Sequence, residues 1–201
     1  GTSFEENGSG VAAEVVAASL SPGEFLQALQ ELQQKQSSDA GSGRNLIRSM
    51  IEHMESQVQT GVERIDATVI QESFARASEA EESFLKAIDE RVPEIFTKLS
   101  ALKMDGGETS VRMTALEASL REVAQLRTEA QQVNAGSAMM YFTGLHSLLT
   151  VVARHRVFLA AARVDSVKTR VHVMGGAIRQ WVEHGRAQRA AIDQLLPANH
   201  T

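Results

Sequence analysis

The sequence contains no cysteine, and this absence excludes disulfide bonds, thiolate metal ligands and thiol nucleophiles together. A chain without cysteine also fits a reducing compartment, so we expect a cytoplasmic protein. Aromatic residues make up only 4% of the chain, which disfavours the stacking surfaces of many nucleic-acid-binding proteins. Proline is scarce as well, with three in 201 residues, so helices can run long without interruption.

Motifs that carry chemistry are also missing. The six histidines never take the His-x-x-x-His or His-Glu-x-x-His spacing that places zinc ligands on one helix face. The glycine pairs at 106–107 and 175–176 lack the surrounding residues of phosphate-binding loops, and no Ser, Asp or His lies in a nucleophile motif. We therefore expect no enzymatic activity, no cofactor, no metal and no small-molecule substrate.

Charge is distributed unevenly along the chain. The net charge is −5, but residues 1–100 hold 17 acidic and 8 basic residues, whereas residues 141–201 hold 3 acidic and 8 basic residues. A basic third on an acidic chain indicates either internal neutralisation or an anionic partner. The candidate contacts for an anionic partner or lipid are Arg154, Arg156, Arg163, Lys168 and Arg170. The negative total and the few aromatics argue against nucleic acid as that partner.

Apolar residues recur every three or four positions in two long stretches. The first stretch runs from Ile47 to Leu102 in fifteen steps over 55 residues, which predicts one helix about 80 Å long. The second runs from Met113 to Met174, and the glycine-rich turn at 106–107 separates the two. This pattern predicts an all-α fold built on a long antiparallel, coiled-coil-like helical hairpin.

Shorter helices are predicted on both sides of the hairpin. Ser21, Pro22 and Glu24 form a helix-start signal for a short amphipathic helix over 22–36, and residues 37–45 read as a linker. The expected organisation is an N-terminal segment, 1–43, and a helical domain, 44–201. A last helix follows the glycines at 175–176 and ends at Pro197. In an alternative arrangement, Asn134 and Gly136 end a helix and the chain forms several shorter helices in a compact bundle.

The segment from Ser137 to Ala153 carries no charged residue. At 17 residues, with a histidine and several hydroxyl side chains, it is short and polar for a membrane span, so we interpret it as the most buried part of a bundle helix. Its apolar width exceeds what a hairpin can cover, which implies a third helix or a second copy of the chain. The residues expected to pack helices or oligomerise are Tyr141, Leu145, Leu148, Val152 and Leu159.

Part of the chain resembles the BAR domain of sorting nexins. The resemblance spans roughly 46–170 and rests on "FTKLSALKMDGGETSVRMTALEASLREVAQLRTEAQQ" followed by "YFTGLHSLLTVVARHRVFLAAA", in which a helix, a polar turn and a second helix lead to an apolar patch and basic residues. It implies an antiparallel dimer whose basic surface binds anionic membranes in endosomal traffic. The five basic candidates above would then face the lipid.

Two functions follow as expectations. The first is a non-enzymatic helical scaffold or adaptor that binds protein partners through an exposed helical face, as a homodimer. The alternative is a BAR-like membrane-binding module that attaches peripherally to an intracellular membrane through its basic face. Sensitivity to salt separates the two, because lipid binding through Arg and Lys weakens at high salt and apolar helix packing does not.

Overall fold

The computed structural model describes residues 18–36, 43–105 and 107–197, and 82% of the structure is helical, so the all-α prediction is confirmed. Residues 1–17 of the expected N-terminal segment and most of the predicted linker lie outside the described residues. The elements are β1 (Ser19–Leu20), α1 (Pro22–Lys35), α2 (Leu46–Gln59), β2 (Ile65–Asp66), α3 (Ala67–Lys98), a 3-10 helix (Leu99–Leu102), α4 (Thr109–Gln132), α5 (Gly136–His155) and α6 (Ala161–Asp193).

The chain divides into two compact units. Unit 1 comprises residues 1–78 and 183–201, and unit 2 comprises residues 79–182. The division therefore falls inside α3 and again inside α6. The expected domain boundary at residues 43 and 44 lies within unit 1, where α1 and α2 share one hydrophobic core.

Unit 1 is built on the pairing of α1 with α2. Pro22 occupies the start of α1, where its missing N–H costs nothing, as the sequence predicts. Strands β1 and β2 form a two-stranded antiparallel pair in which Ser19 is opposite Asp66. The core residues of this unit are Phe25, Leu29, Ile47, Ile51, Met54, Ala67, Ile192 and Leu196.

The predicted 55-residue helix is wrong, because α2 ends at Gln59 and α3 begins at Ala67. Gly61 has a φ of +79°, the left-handed conformation that glycine adopts at low cost at a helix end. The Gly61 amide donates to the Val58 carbonyl and the Val62 amide donates to the Gln57 carbonyl, which satisfies the last carbonyls of α2. This cap outweighs the apolar periodicity that continues through the break.

Unit 2 is a helical bundle whose core takes residues from α3, α4, α5 and α6. The continuous second helix of the predicted hairpin is also wrong. Its first part ends at Gln132, and α5 starts at Gly136 after only three residues, so α4 and α5 fold back on each other as a short hairpin. Asn134 has a φ of +59°, which asparagine tolerates better than most residues. The alternative of shorter helices describes this region.

The boundaries of the last helix also differ from the prediction. Helix α5 ends at His155, and Arg156 follows in the left-handed conformation with a φ of +51°. Helix α6 then runs for 33 residues and passes through Gly175 and Gly176 without a break. Two glycines inside a helix cost only about 1 kcal/mol each relative to alanine, which packing against a shared core can offset.

Candidate functional site

Helix α5 buries one side only. Its buried residues are Ala138, Phe142, Leu145, Leu149 and Val152, so the uncharged segment is buried along one side and exposed along the other. On the other side, Met140 is 73% exposed and Val151 is 51% exposed. We call the exposed residues Ser137, Met140, Gly144, Ser147 and Val151 the uncharged face.

Hydroxyl side chains on α5 are satisfied within the helix itself. Thr143 Oγ1 donates to the Met139 carbonyl over 2.8 Å, and Ser147 Oγ donates to the Thr143 carbonyl over 3.0 Å. Thr150 Oγ1 makes the same kind of bond to the His146 carbonyl. Because these donors already have acceptors, another helix can cover this side of α5 without leaving them unpaired.

The sequence-predicted packing residues lie in or beside the core of unit 2. Leu145 and Val152 are buried, and Tyr141, Leu148 and Leu159 are half-buried against the same core. They therefore contact the chain's own helices. Burial raises the pKa of Tyr141 to about 12, and the positive charge of Arg170 opposes this rise. The apolar residues of α5 that face outward are Met140 and Val151. Each lies one position before a residue that the sequence pattern selected, Tyr141 or Val152.

The five basic candidates have different surroundings. Arg154, Arg156, Arg163 and Arg170 are exposed, and none has an ion-pair partner among the residues that the structure describes. Lys168 Nζ, in contrast, donates to Ser100 Oγ over 2.6 Å and lies 5.3 Å from the ring centre of Phe96. Lys168 is therefore engaged inside unit 2, and the exposed arginines are the basic residues available to a partner.

Two short segments meet at one end of unit 2. The Leu159 amide donates to the Leu102 carbonyl over 2.7 Å, and the Met104 amide donates to the Leu159 carbonyl over 2.9 Å. Lys103 and Leu159 thereby form an isolated parallel bridge. We call the paired segments 102–105 and 154–160 the loop end.

The buried side chain of Arg112 contacts both segments of the loop end. It is only 6% exposed, and its guanidinium lies 3.5 Å from the centre of the Phe158 ring. The same side chain donates to the carbonyls of Ala101 and Lys103. A stacked arginine with two carbonyl acceptors holds both segments in place. The sequence gives no signal for this role, because α4 merely carries an arginine in its first turn.

Clefts open to solvent occur in both units. A cleft in unit 1 has a volume of about 370 Å³ and includes Phe74, Arg186 and Arg189 in its lining. A groove in unit 2 has a volume of about 280 Å³ and lies between Pro93 on α3 and Gly175 on α6. Within the described ranges, no group of three or more His, Asp or Glu residues could hold a metal ion.

No family model matches the sequence, and the searches of curated proteins and of solved structures find no match either. Among the described residues, α5 is the one helix long and apolar enough to cross a membrane by length and composition, and 28% of its apolar segment is buried inside the protein. The core helices of soluble proteins can have the same length and composition.

Proposed function

We propose that this chain is a non-enzymatic helical scaffold or adaptor, and that the uncharged face of α5 binds helical protein partners, including a second copy of the chain. The observation that supports the proposal is an exposed helix face that extends from Ser137 to Val151 without a charged residue. Solvent-facing sides of helices normally carry charges, and a long stretch without them is typical of a surface that packs on another element.

The shape of the uncharged face suits helix packing. Gly144 and Ser147 are small, so the backbone of a second helix can approach closely between the larger side chains of Met140 and Val151. A Cβ added to Gly144 would meet no atom within 4 Å, so the space beside it is open. Complete burial of Met140 and Val151 would contribute on the order of 1–2 kcal/mol each.

The order of large and small residues also fits a symmetric dimer. Met140, Gly144, Ser147 and Val151 are separated by four, three and four positions, so the spacing is the same in both directions. Two α5 helices packed antiparallel would set Met140 against Val151 of the second copy and Gly144 against its Ser147. Self-complementarity of this kind is what a two-fold interface requires. The two Arg154 side chains would then lie about 25 Å apart, where their repulsion is largely screened.

Light scattering after size-exclusion chromatography tests this proposal. We expect a concentration-dependent dimer for the parent chain and a monomer for Val151→Lys, because the lysine charge would be buried in the interface. Val173→Lys on α6 is the matched control, since Val173 is also an exposed valine within a helix. A Val151→Lys variant that self-associates as the parent does, or a Val173→Lys variant that dissociates equally, would contradict the assignment.

A second candidate function is peripheral binding to anionic membranes, as the resemblance to BAR domains implies. The observation that favours it is the exposure of Arg154, Arg156 and Arg163 without an ion-pair partner among the described residues. No Asp or Glu occurs between Glu129 and Asp165, so this stretch contributes only positive charge. Pelleting with anionic vesicles that disappears at high salt would support this function.

A further inference from the structure

Arg156 occupies a backbone conformation that does not suit arginine. Its φ of +51° lies in the left-handed region, where glycine or asparagine is usual and other residues are strained. Its side chain is exposed and has no ion-pair partner within the described part of the chain that would compensate for this strain. Folding alone would favour glycine here, so the fold gives no reason for an arginine side chain at this position.

Two large aliphatic side chains are exposed at the same end of the molecule. Met104 is 63% exposed and Val157 is 60% exposed, and each belongs to one of the two paired segments. Met104 follows Lys103, which is half-exposed. Val157 follows two exposed arginines, Arg154 and Arg156. Apolar side chains interspersed with basic ones are typical of surfaces that lie in the interface of an anionic bilayer.

The loop end is also held in a fixed arrangement. Two backbone hydrogen bonds of Leu159 connect its segments. The stacking of Arg112 on Phe158 adds a third contact. Met104 and Val157 are thus presented from an ordered platform, which reduces the conformational entropy lost on binding. The acidic residues of the adjoining turn, Asp105 and Glu108, oppose the attraction to an anionic surface.

We propose that the loop end docks on an anionic membrane surface, with Arg154 and Arg156 at the phosphates and with Met104 and Val157 inserted among the headgroups. The proposal rests on the second candidate function and names the surface that would carry it out. A lipid surface fits better than an acidic protein helix, because exposed aliphatic side chains on a loop can enter a bilayer. None of the clefts lined by Phe74, by Pro93 or by Phe84 includes a residue of the loop end.

Vesicle co-sedimentation tests the proposal on the full chain. The probes are vesicles of phosphatidylcholine alone and vesicles that also contain phosphatidylserine, each at low and physiological salt. We expect pelleting only with phosphatidylserine, weakened about fivefold in Arg156→Gly. Thermal unfolding of Arg156→Gly should occur at a higher temperature than in the parent, because glycine relieves the left-handed strain. A loss of binding together with a gain of stability cannot come from misfolding.

Further variants test whether the loop end itself contacts the membrane. Val157→Asp should abolish pelleting, and Asp105→Asn should strengthen it. Arg121→Gln is the control, because Arg121 is an exposed arginine within α4, away from the loop end. If it weakens pelleting as much as Arg156→Gly does, charge alone explains the binding and the proposed site is wrong.

The remaining outcomes distinguish the site from the function. If the parent chain does not pellet with anionic vesicles at low salt, both the membrane function and this site are wrong. If pelleting is lost in Arg170→Gln, on α6, but unchanged in Arg156→Gly and Val157→Asp, membrane binding stands and the loop end is overturned as its site.

Discussion

Among the residues that the structure describes, the core of unit 1 contains eight buried apolar residues, whereas the core of unit 2 contains nineteen. The smaller core is accompanied by side-chain hydrogen bonds that link distant parts of the chain. Gln188 Oε1 accepts from the Leu46 amide over 2.6 Å, and Gln188 Nε2 donates to the Arg44 carbonyl over 2.9 Å. One amide thus holds the start of α2 beside α6. Unit 2 also contains polar links, such as those of Arg112 and Lys168, but its core holds more than twice as many buried apolar residues. Loss of apolar volume should therefore have the larger effect in unit 2.

The largest effect is expected from a cavity in the core of unit 2. Leu149 is fully buried among the four helices, so Leu149→Ala should lower the free energy of unfolding by about 2–5 kcal/mol. Chemical denaturation followed by circular dichroism measures this change. Leu148→Ala is the control, because Leu148 is only half-buried and its truncation leaves a smaller cavity. Equal losses in the two variants would contradict the orientation of α5.

The next largest effect is expected from loss of the Gln188 hydrogen bonds in unit 1. Gln188→Ala removes a buried amide and leaves the Leu46 amide without its acceptor, which should cost about 1–3 kcal/mol. Hydrogen exchange at the Leu46 amide should accelerate at the same time. Gln194→Ala, an exposed glutamine in the same unit, should change neither quantity. If Gln188→Ala leaves the free energy of unfolding unchanged, these hydrogen bonds do not stabilise unit 1.

A smaller and opposite effect is expected at Ser119 in α4. Its hydroxyl is buried and has no hydrogen-bond partner, so Ser119→Ala should raise the free energy of unfolding by about 1 kcal/mol. Chemical denaturation measures this change. The control is Ser110→Ala, which should be nearly neutral because Ser110 is exposed. A destabilised Ser119→Ala protein would mean that the hydroxyl is satisfied in solution and that the packing of unit 2 includes a polar contact.

The smallest effect concerns the single tyrosine. Because burial raises the pKa of Tyr141 to about 12, tyrosinate absorbance should appear near that pH in the folded chain and near pH 10 in denaturant. The folded state holds the proton more tightly, so this residue makes stability fall as the pH rises from about 10 to about 12. Arg170→Gln should move the folded midpoint higher still. A midpoint that is the same in both states would place Tyr141 in solvent.

The sequence supported the helical class, the start of α1 and the turn that follows residue 103. It could not locate the break after α2, because Val62 and Ile65 continue the helical spacing while they belong to a cap and a strand. The cap depends on one glycine, Gly61, which by itself is a weak signal. Gly175 and Gly176 led to the opposite error, a predicted helix boundary that does not exist, because tertiary packing keeps α6 intact through them.

The candidate sites, too, could be predicted only in part from the sequence. The absence of charge between Ser137 and Ala153 is visible in the sequence, but the choice of the buried side of α5 is not, because apolar residues occupy both sides of the helix. Phe142 and Leu149 are buried where the periodicity selected Tyr141 and Leu148. Arg112 could not be predicted at all, since its burial depends on carbonyls and a ring contributed by distant segments.

The pairing of Leu102 with Leu159 also bears on the order in which the chain folds. The contact joins residues 57 positions apart, so it brings a large loss of chain entropy unless the intervening segment is already compact. The α4–α5 hairpin, whose contacts are local, shortens that distance once it has formed. We therefore expect the hairpin to form early and the loop end to close late. Pulsed hydrogen exchange would then show the amides of Met104 and Leu159 among the last in unit 2 to become protected.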